Sequence, residues 1–199
     1  MKYLNLLIFV FLLSACSRHK QTLTPPTSPL TISEMNGHFV KTEDGQRLLI
    51  PSLKDKNQST FFLVRHAEKK EGGSDPRLSD IGIARAERLG QIFRKLELDA
   101  IYSSDYHRTK DTSEPTARQH KMETTIYDAR DQTASFVHYQ EFGLNKNVLV
   151  VGHSNTIPAL LNYLTQTEKY PSMPHEQYDR LFIVSLTKVG EAEVIEMRF

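Results

Sequence analysis

The chain has 199 residues with 25 Lys+Arg against 24 Asp+Glu, a formal net charge of +1, so its bulk charge gives no footprint for a nucleic-acid partner. Hydrophobic residues make up 39% and charged residues 25%, with nine Gly and nine Pro, which excludes a fibrous or wholly disordered chain and makes one compact domain the expectation. The single cysteine, Cys16, excludes a disulfide framework, cysteine-ligated zinc and iron–sulfur clusters.

Residues 1–15 carry Lys2 as their only charge and run almost unbroken in apolar residues from Leu4 to Leu13. That run is too short to span a bilayer as a mature helix and has the layout of a signal-peptide core. It ends in Leu13-Ser14-Ala15-Cys16, which resembles the bacterial lipoprotein signal. The resemblance implies cleavage ahead of Cys16, acylation of its sulfur, and a domain held on a membrane by its lipid chains. Ser17 follows the cysteine, and the resemblance then implies outer-membrane sorting, with the domain in the cell envelope facing the periplasm. Without residues 1–15 the chain keeps 24 basic and 24 acidic side chains, so any positive field must be local. Residues 16–33, polar and carrying Pro25, Pro26 and Pro29, read as the lipidated cysteine and a flexible tether. The domain is then expected over 34–199.

Within it, Gly37 to Pro51 reads as a β-hairpin turning at Asp44-Gly45. Phe61 to Val64 is a short, wholly apolar run typical of a strand buried on both faces. Ser79 can cap a helix whose apolar stripe is Ile83, Ala86, Leu89, Ile92, Phe93 and Leu96. A strand at Ala100 to Tyr102, a helix from about Tyr106 to His120, a weaker strand at Thr124 to Tyr127 and a helix from Thr133 to Phe142 follow. Val148 to Val151 is the clearest central strand. Thr156 to Leu164 reads as a helix with Pro158 in its first turn, where the missing N–H costs least. Leu181 to Leu186 and Glu193 to Arg198 read as two strands turning at Val189-Gly190. The alternation predicts an α/β fold, a three-layer sandwich around a mainly parallel sheet.

In such a sheet the ligand crevice lies beyond the carboxyl ends of the strands. Three of these ends carry Arg65-His66-Ala67-Glu68, Ser103-Ser104-Asp105-Tyr106-His107-Arg108-Thr109 and Gly152-His153-Ser154-Asn155. Each piece alone has a bland reading, as a surface charge or a hydrogen-bonded loop residue. Together they bring two guanidiniums and two imidazoles to one crevice, and a guanidinium matches phosphate oxygens two at a time. A phosphate pocket is the economical explanation.

The segments LVRHAE, SSDYHRTKDT and VGHSN, in this order and at these distances, resemble the histidine phosphatase superfamily, whose fold is called phosphoglycerate-mutase-like. The resemblance covers roughly residues 60–199 and matches the small members of the family. It implies that His66 is the nucleophile taking the phosphoryl group, that Arg65 and Arg108 hold its oxygens, and that His153 is the second pocket histidine. Ser154, at a helix start, would support the anion. A covalent phosphohistidine divides one difficult displacement into two easier ones, and two guanidiniums with an imidazole can stabilise the charge without a metal or any other cofactor.

The proton donor is the open assignment. The larger, mutase-type members carry a glutamate after the third strand; this chain has Asp128 and Asp131 there, with Glu68 close to His66. Asp128 is the candidate of first choice, and a substrate with a good leaving group needs no strong acid. The expected activity is hydrolysis of a small phosphomonoester, with envelope glycolipids or sugar phosphates as the substrates that the location suggests. The other reading is a catalytically weak or inactive phosphate-binding envelope protein. The sequence does not speak to oligomeric state.

Overall fold

The computed structural model describes residues 29–53, 55, 57–131 and 145–199. The signal-like segment, Cys16, most of the tether and the helix expected at 133–142 lie outside the described residues. Two sheets form: a small antiparallel one, β1 (Ile32–Asn36), β2 (Phe39–Thr42) and β3 (Arg47–Leu49), and a six-stranded one. The six strands are β4 (Ser59–Arg65), β5 (Ala100–Ser104), β6 (Thr124–Tyr127), β7 (Asn147–Gly152), β8 (Arg180–Lys188) and β9 (Glu191–Arg198), in the order β6-β5-β7-β4-β8-β9. β6, β5, β7 and β4 run parallel, while β8 and β9 continue the sheet antiparallel. Among the described residues the α-helices are α1 (Asp80–Phe93), α2 (His107–His120) and α3 (Thr156–Thr165), and no helix is long and apolar enough to cross a membrane.

β4 shows why the sheet is a sandwich filling. Every one of its residues is buried, and successive side chains of a strand point to opposite faces. Phe62 and Val64 join Leu89, Ile92 and Phe93 of α1 and Ala117 of α2 on one face. Phe61 and Leu63 join Ile157, Leu160, Leu161 and Leu164 of α3 on the other. The ring of Phe62 meets that of Phe93 edge to face at 5.0 Å; full burial of such side chains stabilises the fold by about 1.5–3 kcal/mol each. The small sheet covers the α1 side through Ile32, Met35 and Val40.

Two local expectations change. The folded part reaches back beyond residue 34, because Ile32 is wholly buried and pairs with Thr42, and the Arg198 N–H donates to the carbonyl of Leu30. Apolar residues too few to read as a strand become one when a ready-made hairpin is there to pair with. In α1, capped by the Ser79 hydroxyl as expected, Ile83 is exposed rather than part of the buried stripe. Gly82 faces inward in its place. A β-carbon at Gly82 would sit 2.0 Å from the Glu68 carbonyl oxygen, so the first turn of α1 lies directly on the loop that follows β4.

Candidate active site

β4 and β7 are neighbours, and the helices that follow them pack on opposite faces of the sheet: α1 on one, α3 on the other. Such a switch point opens a crevice beyond the carboxyl ends of the two strands. Arg65 is paired with Gly152 across the ladder, and the His66 N–H donates to the Gly152 carbonyl at 2.9 Å. The register therefore places His66 and His153 side by side, with ring centroids 5.5 Å apart and planes inclined at 68°. Gly152 allows this approach, since a β-carbon there would fall 2.7 Å from the Thr156 hydroxyl and 2.8 Å from that of Tyr127.

A cavity of about 440 Å³ opens here, and Arg65, His66, Arg108, His153, Ser154 and Asn155 are among its walls. All four residues expected to handle a phosphoryl group are thus in one place, with Ser154 beside them at the start of α3.

His66 is buried, and its Nδ1 lies 2.8 Å from the Ala67 carbonyl oxygen. A carbonyl only accepts, so Nδ1 carries the hydrogen and Nε2 keeps its lone pair. Burial, then the neighbouring Arg65, His153 and Arg108 side chains, push its pKa down to about 3, the Ala67 hydrogen bond acting in the other direction. The ring is neutral at physiological pH, the state a nitrogen nucleophile requires. His153 is held neutral for similar reasons: burial first, then Arg108 and Arg65, bring its pKa to about 4.

The arginines are fixed by different means. Arg65 is buried at the last position of β4. Its Nη1 donates to the carbonyls of Pro174, His175 and Gln177 at 2.8–3.1 Å, and its guanidinium stacks over Tyr178 at 4.1 Å. Its Nε is buried without a hydrogen-bond partner among the described residues, and a buried N–H left so is a donor for an anion. Arg108 lies in the first turn of α2, over the Tyr106 ring at 4.3 Å, with Nη1 3.4 Å from Asp75. Asp75 also accepts the His107 N–H that opens α2, so one carboxylate holds both the helix start and the arginine it carries.

Helix α2 is held down by hydroxyls rather than by an apolar stripe. Thr109, Thr112, Ser113 and Thr116 are all buried. The Thr112 hydroxyl accepts the N–H of Ala67, next to His66, and donates to the Arg108 carbonyl. Thr109 meets Ser104, whose hydroxyl lies 2.8 Å from His153 Nε2.

The carboxylates expected as proton donors are placed elsewhere. Asp128 does not line the cavity but a neighbouring depression. Its carboxylate accepts hydrogen bonds from Arg130, which hold its pKa below the usual carboxylate range. In this arrangement the carboxylate is engaged by Arg130 and not by the cavity. Glu68 is bound by Arg85 through three hydrogen bonds of 2.8–3.0 Å; burial opposes ionisation, but those bonds bring its pKa down. The Asp131 N–H closes a turn onto the Asp128 carbonyl. Asp75, Tyr106, Tyr178, Ser104, Thr109 and Thr112 belong to the site and were not expected in these roles. Only the density of hydroxyls and aromatics in 102–112 hinted at some of them.

Residues 61–131 match the model of the histidine phosphatase superfamily (branch 1). No curated protein sequence matches the chain. Among solved structures, the chain is similar to the protein histidine phosphatase SixA complexed with tungstate, at 16% identity over 70% of this chain and 96% of that one, with a TM-score of 0.55. It is also similar to a mycobacterial glucosyl-3-phosphoglycerate phosphatase, at 14% identity over 71% and 99%, TM-score 0.55. A third is phosphoserine phosphatase from Entamoeba histolytica, at 15% over 68% and 94%, TM-score 0.54. Likeness at these identities shows a common α/β fold. The matched segment, residues 61–131, holds Arg65, His66 and Arg108, and over it the chain is similar to the histidine phosphatase superfamily, branch 1.

Proposed function

We propose that the chain is a phosphatase that hydrolyses a phosphomonoester, or a similarly phosphorylated small molecule, through a covalent phosphohistidine on His66. The observation that carries this reading is the state of His66: neutral, with Nδ1 tied to the Ala67 carbonyl and Nε2 left for the cavity shared with Arg65, Arg108 and His153. The Nε2 lone pair attacks phosphorus, the bond from phosphorus to the ester oxygen breaks, and that oxygen leaves as the alcohol or its conjugate base. Water then attacks the same phosphorus, the N–P bond breaks, and inorganic phosphate and neutral His66 are regenerated. Arg65, Arg108 and His153 carry the charge on the equatorial oxygens in both steps, so no metal takes part in the reaction as proposed. Because Asp128 is ionised and held by Arg130, leaving groups of low basicity, such as an aryl oxide, an acyl phosphate or a phosphorylated nitrogen, depart fastest.

The lipoprotein-like residues 1–16 support anchoring of this domain in the cell envelope through lipid on Cys16, in the outer membrane with the site facing the periplasm. Phosphorylated envelope molecules, glycolipids or sugar phosphates, are the substrates that location offers. Hydrolysis of p-nitrophenyl phosphate by the full chain, with and without EDTA, tests the reaction: activity that survives the chelator and is lost in His66→Ala is expected, and parent-level activity in His66→Ala contradicts it. Palmitate labelling of the parent but not of Cys16→Ser tests the anchor.

A further inference from the structure

Beyond the cavity wall, His153 Nε2 lies 2.8 Å from the Ser104 hydroxyl, which lies 3.0 Å from the Thr109 hydroxyl. The Thr109 hydroxyl in turn lies 2.8 Å from the Ser104 carbonyl and 2.9 Å from the Tyr106 carbonyl. Ser104 and Thr109 are both wholly buried. Carbonyl oxygens only accept, so the Thr109 hydrogen is committed to one of them. The Thr109 oxygen is then the acceptor for the Ser104 hydrogen, and the Ser104 oxygen is the acceptor for a hydrogen on Nε2. The chain of donors runs one way, out of the imidazole and into the backbone.

We propose that Ser104 and Thr109 are positioning residues that fix the tautomer of His153, placing its one hydrogen on Nε2 and leaving Nδ1 as the nitrogen that takes up a second proton when the phosphoryl dianion binds. The proposal rests on the reading of the cavity as a phosphoryl-transfer site. Its two histidines then work as opposite tautomers. His66 is anchored through Nδ1–H and presents Nε2 as a nucleophile, while His153 is anchored through Nε2–H and presents Nδ1 as a proton acceptor. When the dianion enters, His153 takes a proton from solvent at Nδ1 and donates that N–H to a phosphoryl oxygen; when phosphate leaves, the proton returns to solvent. No covalent bond to His153 forms or breaks. The Ser104 oxygen keeps its hydrogen bond throughout and favours the charged ring, because an acceptor at Nε2–H is worth more to an imidazolium than to a neutral imidazole.

Long-range ¹⁵N–¹H correlation of the histidine rings in the full chain at neutral pH reads the tautomers without reference to activity. The expected result is Nε2–H at His153 and Nδ1–H at His66, with His153 becoming a mixture of tautomers in Ser104→Ala and in the near-isosteric Thr109→Val. Nδ1–H at His153 in the parent, or an unchanged His153 in both variants, overturns the proposal. With p-nitrophenyl phosphate, kcat is expected to fall about tenfold in Ser104→Ala, with the alkaline limb of its pH profile moved to lower pH. Thr109→Ser is expected to rescue what Thr109→Val loses. A lower kcat with an unmoved pH profile would mark a structural role only and overturn the assignment. Full activity in His66→Ala would instead sink the phosphatase reading, whatever the tautomer of His153.

Discussion

At the ends of β4 and β7, Arg65, His66 and His153 leave strands buried on both faces and are held by backbone carbonyls, hydroxyls and aromatic rings. At the end of β6, the edge strand of the same sheet, Asp128 and Arg130 are largely exposed and hydrogen-bond each other. Both regions face the crevice side of the sheet, and only one is built to fix a protonation state. Burial makes the neutral form of His66 and His153 the cheaper one and surrounds each ring with directional partners. Exposed charges at the edge satisfy each other in water, where a pair is worth roughly 0–1 kcal/mol. The difference teaches that charge alone does not identify a working group; its supports do.

The largest contrast is expected on removing the proposed nucleophile. His66→Ala should lower kcat/KM for an aryl phosphate by at least about 10³-fold, measured at neutral pH with the fold checked by circular dichroism. Next comes loss of one oxygen-holding group: Arg108→Ala or Arg65→Ala should cost about 10²–10³-fold in kcat. Asp75→Asn, which removes the carboxylate that holds Arg108 and the start of α2, should cost about tenfold, read as a rise in the inhibition constant of inorganic phosphate. At the edge, Asp128→Asn should change kcat less than about threefold. A loss as large as that of Arg108→Ala would mean that the edge carboxylate takes part in the chemistry, and the comparison between the two regions would fail.

Stability should report the same contrast through pH. The pKa of His66 is about 3 and that of His153 about 4 in the folded chain, against about 6.5 when unfolded. Between those values the unfolded chain binds more protons, so stability falls as pH drops from about 7 toward 4, with a slope of at most about 1.4 kcal/mol per pH unit for each histidine. Thermal unfolding at pH 7 and pH 5 should show the drop, and His66→Gln should make it shallower. A steeper curve in His66→Gln would contradict the buried, neutral histidine.

Much of the architecture was legible because β4 and β7 are largely apolar runs, and the four central cavity residues were legible because they lie at strand ends or within four residues of them. The remainder depends on contacts that leave no local pattern. Asp75 sits in a glycine-containing stretch 33 residues ahead of Arg108, and nothing at that position announces the pairing. The buried threonines of α2 weaken its apolar periodicity while they hold the site together. The partner of Asp128 was not legible, because an acidic residue after a strand looks the same in sequence whether it points at a substrate or pairs with an arginine two residues on. Thr31 and Ile32 were assigned to the tether because their partners, Arg198 at the end of β9 and Thr42, lie elsewhere along the chain.

The central claim is a covalent phosphoryl group on His66, and rapid-quench trapping with a ³²P-labelled phosphate ester, followed by peptide mapping, addresses it directly. The expected result is an acid-labile, base-stable label on the peptide containing His66, discharged by water at a rate no slower than turnover and missing in His66→Ala. A label on any other residue, or turnover of the ester with no phosphoenzyme formed on the pathway, would contradict it.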